Sequence, residues 1–391
     1  MKTGKLVTAV LVVIMITASC HHRGNRIITD NGRDRLEINY NGEIKFTDDE
    51  TAIKSISPNG YLKYKRNDKK FEIHANAKGD FKLEMSDNGR KLNEADPDGK
   101  LFLAEAIQNM ISVGFDAKAR MERIYKKGGS RALLTEAGKI DSDFAKSMYL
   151  GFLLDMDTLQ PVEIAETAHV IASKIGSDFE KAKLLKKFSP EQLKDSATVK
   201  AWFEATKSIG SDFDKSNALK NILNYPLTAA QLDEALMVTT TFGSDFEKSN
   251  ILKIILNQAL INDKLSETLN VTNSLGSDFE KANVLRMVID HELYENQNFE
   301  NLLGSIDHIG SDFEKSNLLK LLIGNGLKSD EQWIKMINET RQIASDFDRS
   351  NLLVEIARQM PKSESIKTVY LEVAKSIQSE TDLGRAIKAM D

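Results

Sequence analysis

The sequence predicts an α+β protein that is mainly α. A small antiparallel β-sheet domain comes first, followed by an α-α solenoid of helix-pair repeats about 34 residues long, comparable in length to HEAT or tetratricopeptide units. Three observations predict this. The string Ser-Asp-Phe recurs seven times, with its aspartates at Asp143, Asp178, Asp212, Asp245, Asp278, Asp312 and Asp346, so the spacing is 33–35 residues. The apolar residues behind each string follow helical spacing, whereas the stretch before Asp96 alternates with period two. The length of 391 residues, 41% of them hydrophobic, exceeds what one compact core needs, so more than one domain is expected.

Residues 1–19 read as a signal peptide. Lys2 and Lys5 open it, and Leu6 to Ile16 form an apolar run too short to span a bilayer. Thr17-Ala18-Ser19-Cys20 resembles the lipobox of bacterial lipoproteins, departing from it at Thr17, where Leu, Val or Ile is usual. The resemblance implies that Cys20 is the lipid attachment site and the first residue of the mature chain. Cys20 is also the only cysteine, which excludes an intramolecular disulfide. Acyl chains at this point hold a protein on a membrane surface without spanning it. Residues 20–33 read as a tether. His21, His22 and Arg23 follow the cysteine with no acidic run, which favours the outer membrane facing the periplasm. The adjacent histidines read as polar linker rather than as metal ligands.

Residues 34–99 read as an antiparallel β domain of about five strands. Leu36, Ile38 and Tyr40 alternate with polar neighbours, and Asn41-Gly42 turns the chain into Ile44 and Phe46. Further alternating runs carry Leu62 and Tyr64, Phe71 and Ile73, and Phe81, Leu83 and Met85. Turn signals at Asn59-Gly60, Gly79-Asp80 and Asn88-Gly89 separate them. Asp96-Pro97-Asp98-Gly99 marks the boundary. Residues 100–140 read as capping helices, with Leu101, Leu103, Ala104, Ile107, Met110 and Ile111 offering a face to the sheet.

Residues 141–391 read as the solenoid. Ser177 and Glu180, Ser244 and Glu247, Ser277 and Glu280, and Ser311 and Glu314 stand three apart, the spacing of a capping box. The intervening aspartate suits the helix dipole. The glycine ahead of the cap, at Gly176, Gly210, Gly243, Gly276 and Gly310, suits a left-handed residue ending the previous helix. Counting from each Phe, offset three is Ser or Ala, offset six is always Leu, and offset nine is always apolar. Offsets zero, three, six and nine are expected to form one buried stripe, which makes the phenylalanine core. The small third position lets a neighbouring helix approach. The second helix ends in an apolar residue, as at Ile175, Ile209, Phe242, Leu275 and Ile309. Glu380-Thr381-Asp382-Leu383 looks like a degenerate eighth start. The recurrent Asn217, Asn250, Asn283, Asn317 and Asn351 either bond between repeats or line a binding face.

Gly42-Glu43-Ile44-Lys45-Phe46-Thr47-Asp48-Asp49 and Ile53-Lys54-Ser55-Ile56-Ser57-Pro58-Asn59-Gly60, followed by the Ser-Asp-Phe-Glu-Lys repeats, resemble a family of uncharacterised bacterial extracytoplasmic proteins. Similar modules occur beside membrane metallopeptidases of the antibiotic-sensing type. The resemblance covers roughly residues 35–391, and it implies a sensory or scaffolding role without active-site residues.

No catalytic, cofactor-binding or metal residues are nominated. His291-Glu292-Leu293-Tyr294-Glu295 lacks the second histidine of a zinc peptidase motif and reads as ordinary helix surface. The repeated Asp and Glu invite a metal array, but capping accounts for them. No nucleophile elbow or phosphate loop occurs. A net charge of −5 argues against nucleic-acid binding. The expectation is a non-enzymatic cell-envelope lipoprotein whose partner is an envelope protein or peptide and which meets the membrane through its N-terminal lipid. Two alternatives are a sensor or regulatory subunit of an envelope peptidase or signalling system, implied by the resemblance, and a periplasmic enzyme acting on glycans or peptides. The last requires paired carboxylates of perturbed pKa in a deep pocket.

Overall fold

The computed structural model describes residues 11–15, 25–30, 32–294 and 297–390. The chain divides into two compact units, Met1–Glu180 and Lys181–Asp391. Antiparallel strands and helices build the first, and helices build the second, so the α+β, mainly α class holds.

Strands of the first unit are β1 (Leu11–Met15), β2 (Asn25–Asp30), β3 (Arg35–Asn41), β4 (Ile44–Phe46), β5 (Ile53–Ile56), β6 (Tyr61–Arg66), β7 (Lys69–Ala75), β8 (Phe81–Asp87) and β9 (Arg90–Leu92). The main sheet runs β1-β2-β3-β6-β7-β8-β9, antiparallel throughout. Period two in the sequence becomes two faces. Ile38, Tyr64, Phe71 and Met85 lie on the inner one and are buried. Helix α1 (Pro97–Ser112) covers that face with Phe102, Leu103, Ala106, Ile107, Met110 and Ile111. Leu101, expected on this face, is exposed instead.

Two expectations for the sheet need correcting. Residues 20–33, expected as a tether, contain β2, where Ile27 is buried opposite Ile38 and Arg26 pairs with Glu37 at 2.8 Å on the wet face. A six-residue strand with one buried side chain gives too short an alternation to be read as a strand. The hairpin expected at Asn41-Gly42 does not join β3 to β4. Instead β3 pairs with β6, and β4 leaves the sheet to pair with β5. Gly42 makes the departure feasible: its φ is +87°, and a Cβ there would meet Ser57 at 2.9 Å. Within the expected leader, Leu11–Met15 forms β1 along β2. The rest of residues 1–19, and Cys20, lie outside the described residues.

Four further helices begin in this unit: α2 (Ala117–Ala137), α3 (Asp143–Leu154), α4 (Pro161–Lys174) and α5 (Asp178–Leu185). The second unit continues with α6 (Ser196–Lys207), α7 (Asp212–Leu223), α8 (Ala229–Thr240), α9 (Asp245–Ile255), α10 (Ile261–Asn273), α11 (Asp278–Asp290) and α12 (Gln297–Asp307). It ends with α13 (Asp312–Gly324), α14 (Asp330–Glu339), α15 (Asp346–Gln359), α16 (Glu364–Ala374) and α17 (Glu380–Lys388). These form two layers. Each odd-numbered helix from α7 to α17 packs on the next odd one, and each even-numbered helix from α6 to α16 on the next even one. The leucines at offset six fill the interior: Leu219, Leu252, Leu285, Leu319 and Leu353 are fully buried. Ile209, Phe242, Leu275 and Ile309 close it beside each cap.

Candidate binding face

The Ser-Asp-Phe string is a joint. Its serine is the N-cap: the Oγ of Ser244, Ser277 and Ser311 accepts from the amide three residues on at 3.3 Å. The glutamate does not close the box. The serine amide that it was expected to bind donates to the aspartate of the preceding string. Asp212 Oδ2 accepts from Gly243 and Ser244 at 2.9 and 2.7 Å, and Asp245 Oδ2 from Gly276 and Ser277 at 3.0 and 2.8 Å. Asp346 treats Gln378 and Ser379 alike at 2.9 and 2.8 Å, just ahead of α17. A complete capping box occurs at Thr228 and Gln231, outside the repeated string.

This contact also explains the glycines. Those at 176, 243, 276 and 310 do not have a positive φ, so they are not left-handed caps. A Cβ on Gly276 would stand 3.2 Å from Asp245 Oδ2, and one on Gly176 3.1 Å from Asp143 Oδ2. Glycine eases the carboxylate's approach there without being required, since Gln378 holds the same place at the last joint and still donates to Asp346. The string's lysine completes the joint from the other side: Lys181 Nζ donates to Ser208 O at 2.9 Å and Lys281 Nζ to His308 O at 2.8 Å. Each is a buried cation at the carbonyl end of the second helix, where the dipole favours positive charge.

Folding leaves the phenylalanine unassigned. The expectation that it is core is wrong. Phe213, Phe246, Phe279, Phe313 and Phe347 are 58–64% exposed, as is Phe179 in the first unit. The reason is angular. In α7 the buried positions are Lys215, Ser216, Ala218, Leu219, Ile222 and Leu223. At about 100° per residue their mean direction lies roughly 135° from Phe213. Offsets four and seven fall near the phenylalanine instead. One face of α7, α9, α11 and α13 therefore presents Phe, then Asn, then Lys or Arg, while α15 keeps Phe347 and Asn351 but has Val354 at the third place.

The chemistry of that face is specific. Lys220 meets Glu247 of the next repeat at 3.7 Å, and Arg286 meets Glu314 at 3.8 Å, so much of the charge is compensated. Asn283 accepts from Arg286 at 3.1 Å, and Asn351 from Arg385, whose guanidinium lies 5.3 Å from the Phe347 ring centre. The carboxamides of Asn217, Asn250 and Asn317 make no hydrogen bond among the described residues, so they do not form an inter-repeat ladder. Packed helices stand about 8–10 Å apart, which sets the step between neighbouring rings. The sequence held the signal for this face, namely an aromatic repeated at an angle away from the leucines.

The densest charge cluster lies in the first unit and is a staple. Arg120 is buried; it donates to Glu50 at 2.6 and 2.8 Å, to Glu136 at 2.7 Å and to the Tyr149 hydroxyl at 2.8 Å. Burial opposes its charge, but these acceptors outweigh burial and hold its pKa above the ordinary value. Glu136 is held below its ordinary range against burial by Arg120 and Lys139. Burial raises Asp116 nearby, Glu43 and Glu50 add to the rise, and Arg123 opposes it. Each guanidinium nitrogen of Arg120 is engaged within the protein. His291 caps the end of α11 and Glu292 follows with φ 53°, so this string is a helix terminus rather than helix surface. Among the described residues no three His, Cys, Asp or Glu side chains gather as a metal site, and no helix is long and apolar enough to cross a membrane.

No protein-family model, curated protein or solved structure matches this chain. Its class is defined by its own geometry: an antiparallel sheet covered by a helix in one unit, and a two-layered stack of helix-pair repeats in the other.

Proposed function

We propose that this protein is a non-enzymatic lipoprotein of the bacterial cell envelope, anchored through Cys20 at the outer membrane and facing the periplasm. Its helical repeats act as a scaffold for a protein or peptide partner. The observation that carries the reading is the row of exposed phenylalanines, three of them with an open carboxamide alongside, at Asn217, Asn250 and Asn317. Burying a whole Phe side chain contributes about 1.5–3 kcal/mol. More than half of each ring is open, so covering one contributes about 1–2 kcal/mol. A carboxamide offers both a donor and an acceptor, the pair that a peptide backbone lacks partners for when extended. Three residues of polyproline-II chain advance about 9.3 Å, which matches the helix step of about 8–10 Å. An extended segment can thus meet a ring and an asparagine at each repeat.

The test replaces Phe213, exposed like the others and outside the triple variant below, by a photo-crosslinking residue in the native envelope and identifies the products by mass spectrometry. Crosslinks should concentrate on one defined polypeptide and vanish in the F246A/F279A/F313A variant at unchanged thermal stability. Crosslinks spread over abundant envelope proteins, or retained by the triple variant, would overturn the reading. Mass spectrometry of the mature N-terminus checks the anchor: an unmodified Cys20 removes it.

A further inference from the structure

The second unit contains a break in its repeat, and a pocket opens there. Where helices α7, α9, α11 and α13 run 11–13 residues, α5 stops after eight. The chain then passes Pro190 and a 3-10 turn at Gln192–Lys194 before α6 starts at Ser196. Between that turn, the start of α6 and the α7–α8 connection lies a cavity of about 760 Å³. Leu193, Val199, Ile222, Tyr225 and Leu227 form its apolar walls. Small-molecule sites span about 300–1,000 Å³, so one docked side chain would leave most of this volume empty.

Most polar groups at the wall are already engaged. Gln231 donates to Leu193 O and accepts from the Thr228 amide, both at 2.9 Å. Glu234 pairs with Lys207 at 2.8 Å and Lys194 with Glu191 at 2.6 Å. Two groups are left over. Lys200 and Ser196 stand one turn apart on α6, both are exposed, and neither side chain has a partner among the described residues. The rim therefore carries one uncompensated positive charge and one free hydroxyl beside an apolar hollow.

We infer that this pocket binds an amphiphile with one anionic head, of the long-chain carboxylate class. The acyl chain lies along Leu193, Val199, Ile222 and Leu227. The carboxylate accepts from Lys200 Nζ and Ser196 Oγ. Charge complementarity selects this occupant over a neutral or cationic amphiphile of the same length. None of the exposed phenylalanines lines the pocket, so the site stands apart from the partner-binding face.

The experiment titrates the full chain with dodecanoate below its micellar concentration, by calorimetry, beside dodecanol and dodecyltrimethylammonium. Dodecanoate should bind saturably at one site per chain. The K200E variant, a surface change that leaves folding intact, should weaken it by about tenfold or more, the loss of one charge-assisted contact. V199W should abolish binding by filling the hollow, with its thermal melt checked against wild type. F246A/F279A/F313A should bind as wild type, which separates this site from the proposed scaffold face. Absence of saturable binding, equal binding of the cationic amphiphile, or binding indifferent to both K200E and V199W would overturn the inference.

Discussion

Replacing Asp245 by alanine tests whether the repeats are held by the carboxylate clamp or by leucine packing alone. Asp245 Oδ2 accepts from two amides across the joint between α9 and α11, at 3.0 and 2.8 Å. A hydrogen bond to a charged group contributes about 1.5–3 kcal/mol. Two sharing one partly exposed oxygen contribute less than twice that, and the lost charge at the start of α9 adds about 0.3–1 kcal/mol. The expected loss is therefore about 2–4 kcal/mol. In a stack of repeats it falls on one nearest-neighbour interface, so α11 and its successors should uncouple from what precedes them. Urea unfolding followed by circular dichroism measures the total, and a broadened or split transition reports the uncoupling. Hydrogen exchange at the Gly276 and Ser277 amides locates it, and about 2 kcal/mol corresponds to roughly 30-fold faster exchange. A variant within about 0.5 kcal/mol of wild type, with protection at both amides unchanged, would refute the clamp.

Three other outcomes are expected. R120A leaves Glu50 and Glu136 without their buried counter-charge and should cost about 3–5 kcal/mol in urea unfolding; a loss under about 1 kcal/mol contradicts the staple. The hydroxyls of Ser216, Ser249 and Ser316 are buried without a partner, and Ala182 and Ala282 occupy the same offset, so S249A should stabilise by about 0.5–1 kcal/mol; a destabilised variant would show a hidden bond. Asp116 is raised in the fold above 3.8, so its folded form loses stability as pH rises from 3.8 through the folded value. D116N, which tolerates the φ of 53° there, should thus gain over wild type at pH 7 and match it below 3.8. Thermal melts across that range check this, and a gain independent of pH would exclude the linkage.

The period, the serine caps and the leucine interior were legible because each depends on contacts close in sequence. Ser244 reaches Glu247, and Leu252 follows from the helical spacing of its own segment. The local readings of the aspartate and glycine fail, and the lysine has no local role to read, because their partners lie 27–33 residues away, as in Lys281 to His308 and Asp143 to Gly176. Local rules offered plausible substitutes, dipole and left-handed cap, that the longer contacts displaced. Hydrophobicity alone points Phe213 inward; a wheel centred on Leu219 and Ile222 puts it outside, where it is 64% exposed. β2 and the β4–β5 excursion escaped because three to six residues give too little alternation to reveal a face. The candidate face was therefore present in the repeats, but visible only once the interior had been located.

Because Asp212, Asp245, Asp312 and Asp346 each accept from the serine amide that opens the next string, these junctions of the second unit share the same two halves. A duplication or deletion of one whole repeat would restore identical junctions on both sides of the cut, whereas a shift of a few residues would ruin two at once. Length is thus the variable that this architecture leaves free. Lineages can adjust the reach of the aromatic face in whole steps, one ring at a time, without redesigning any interior.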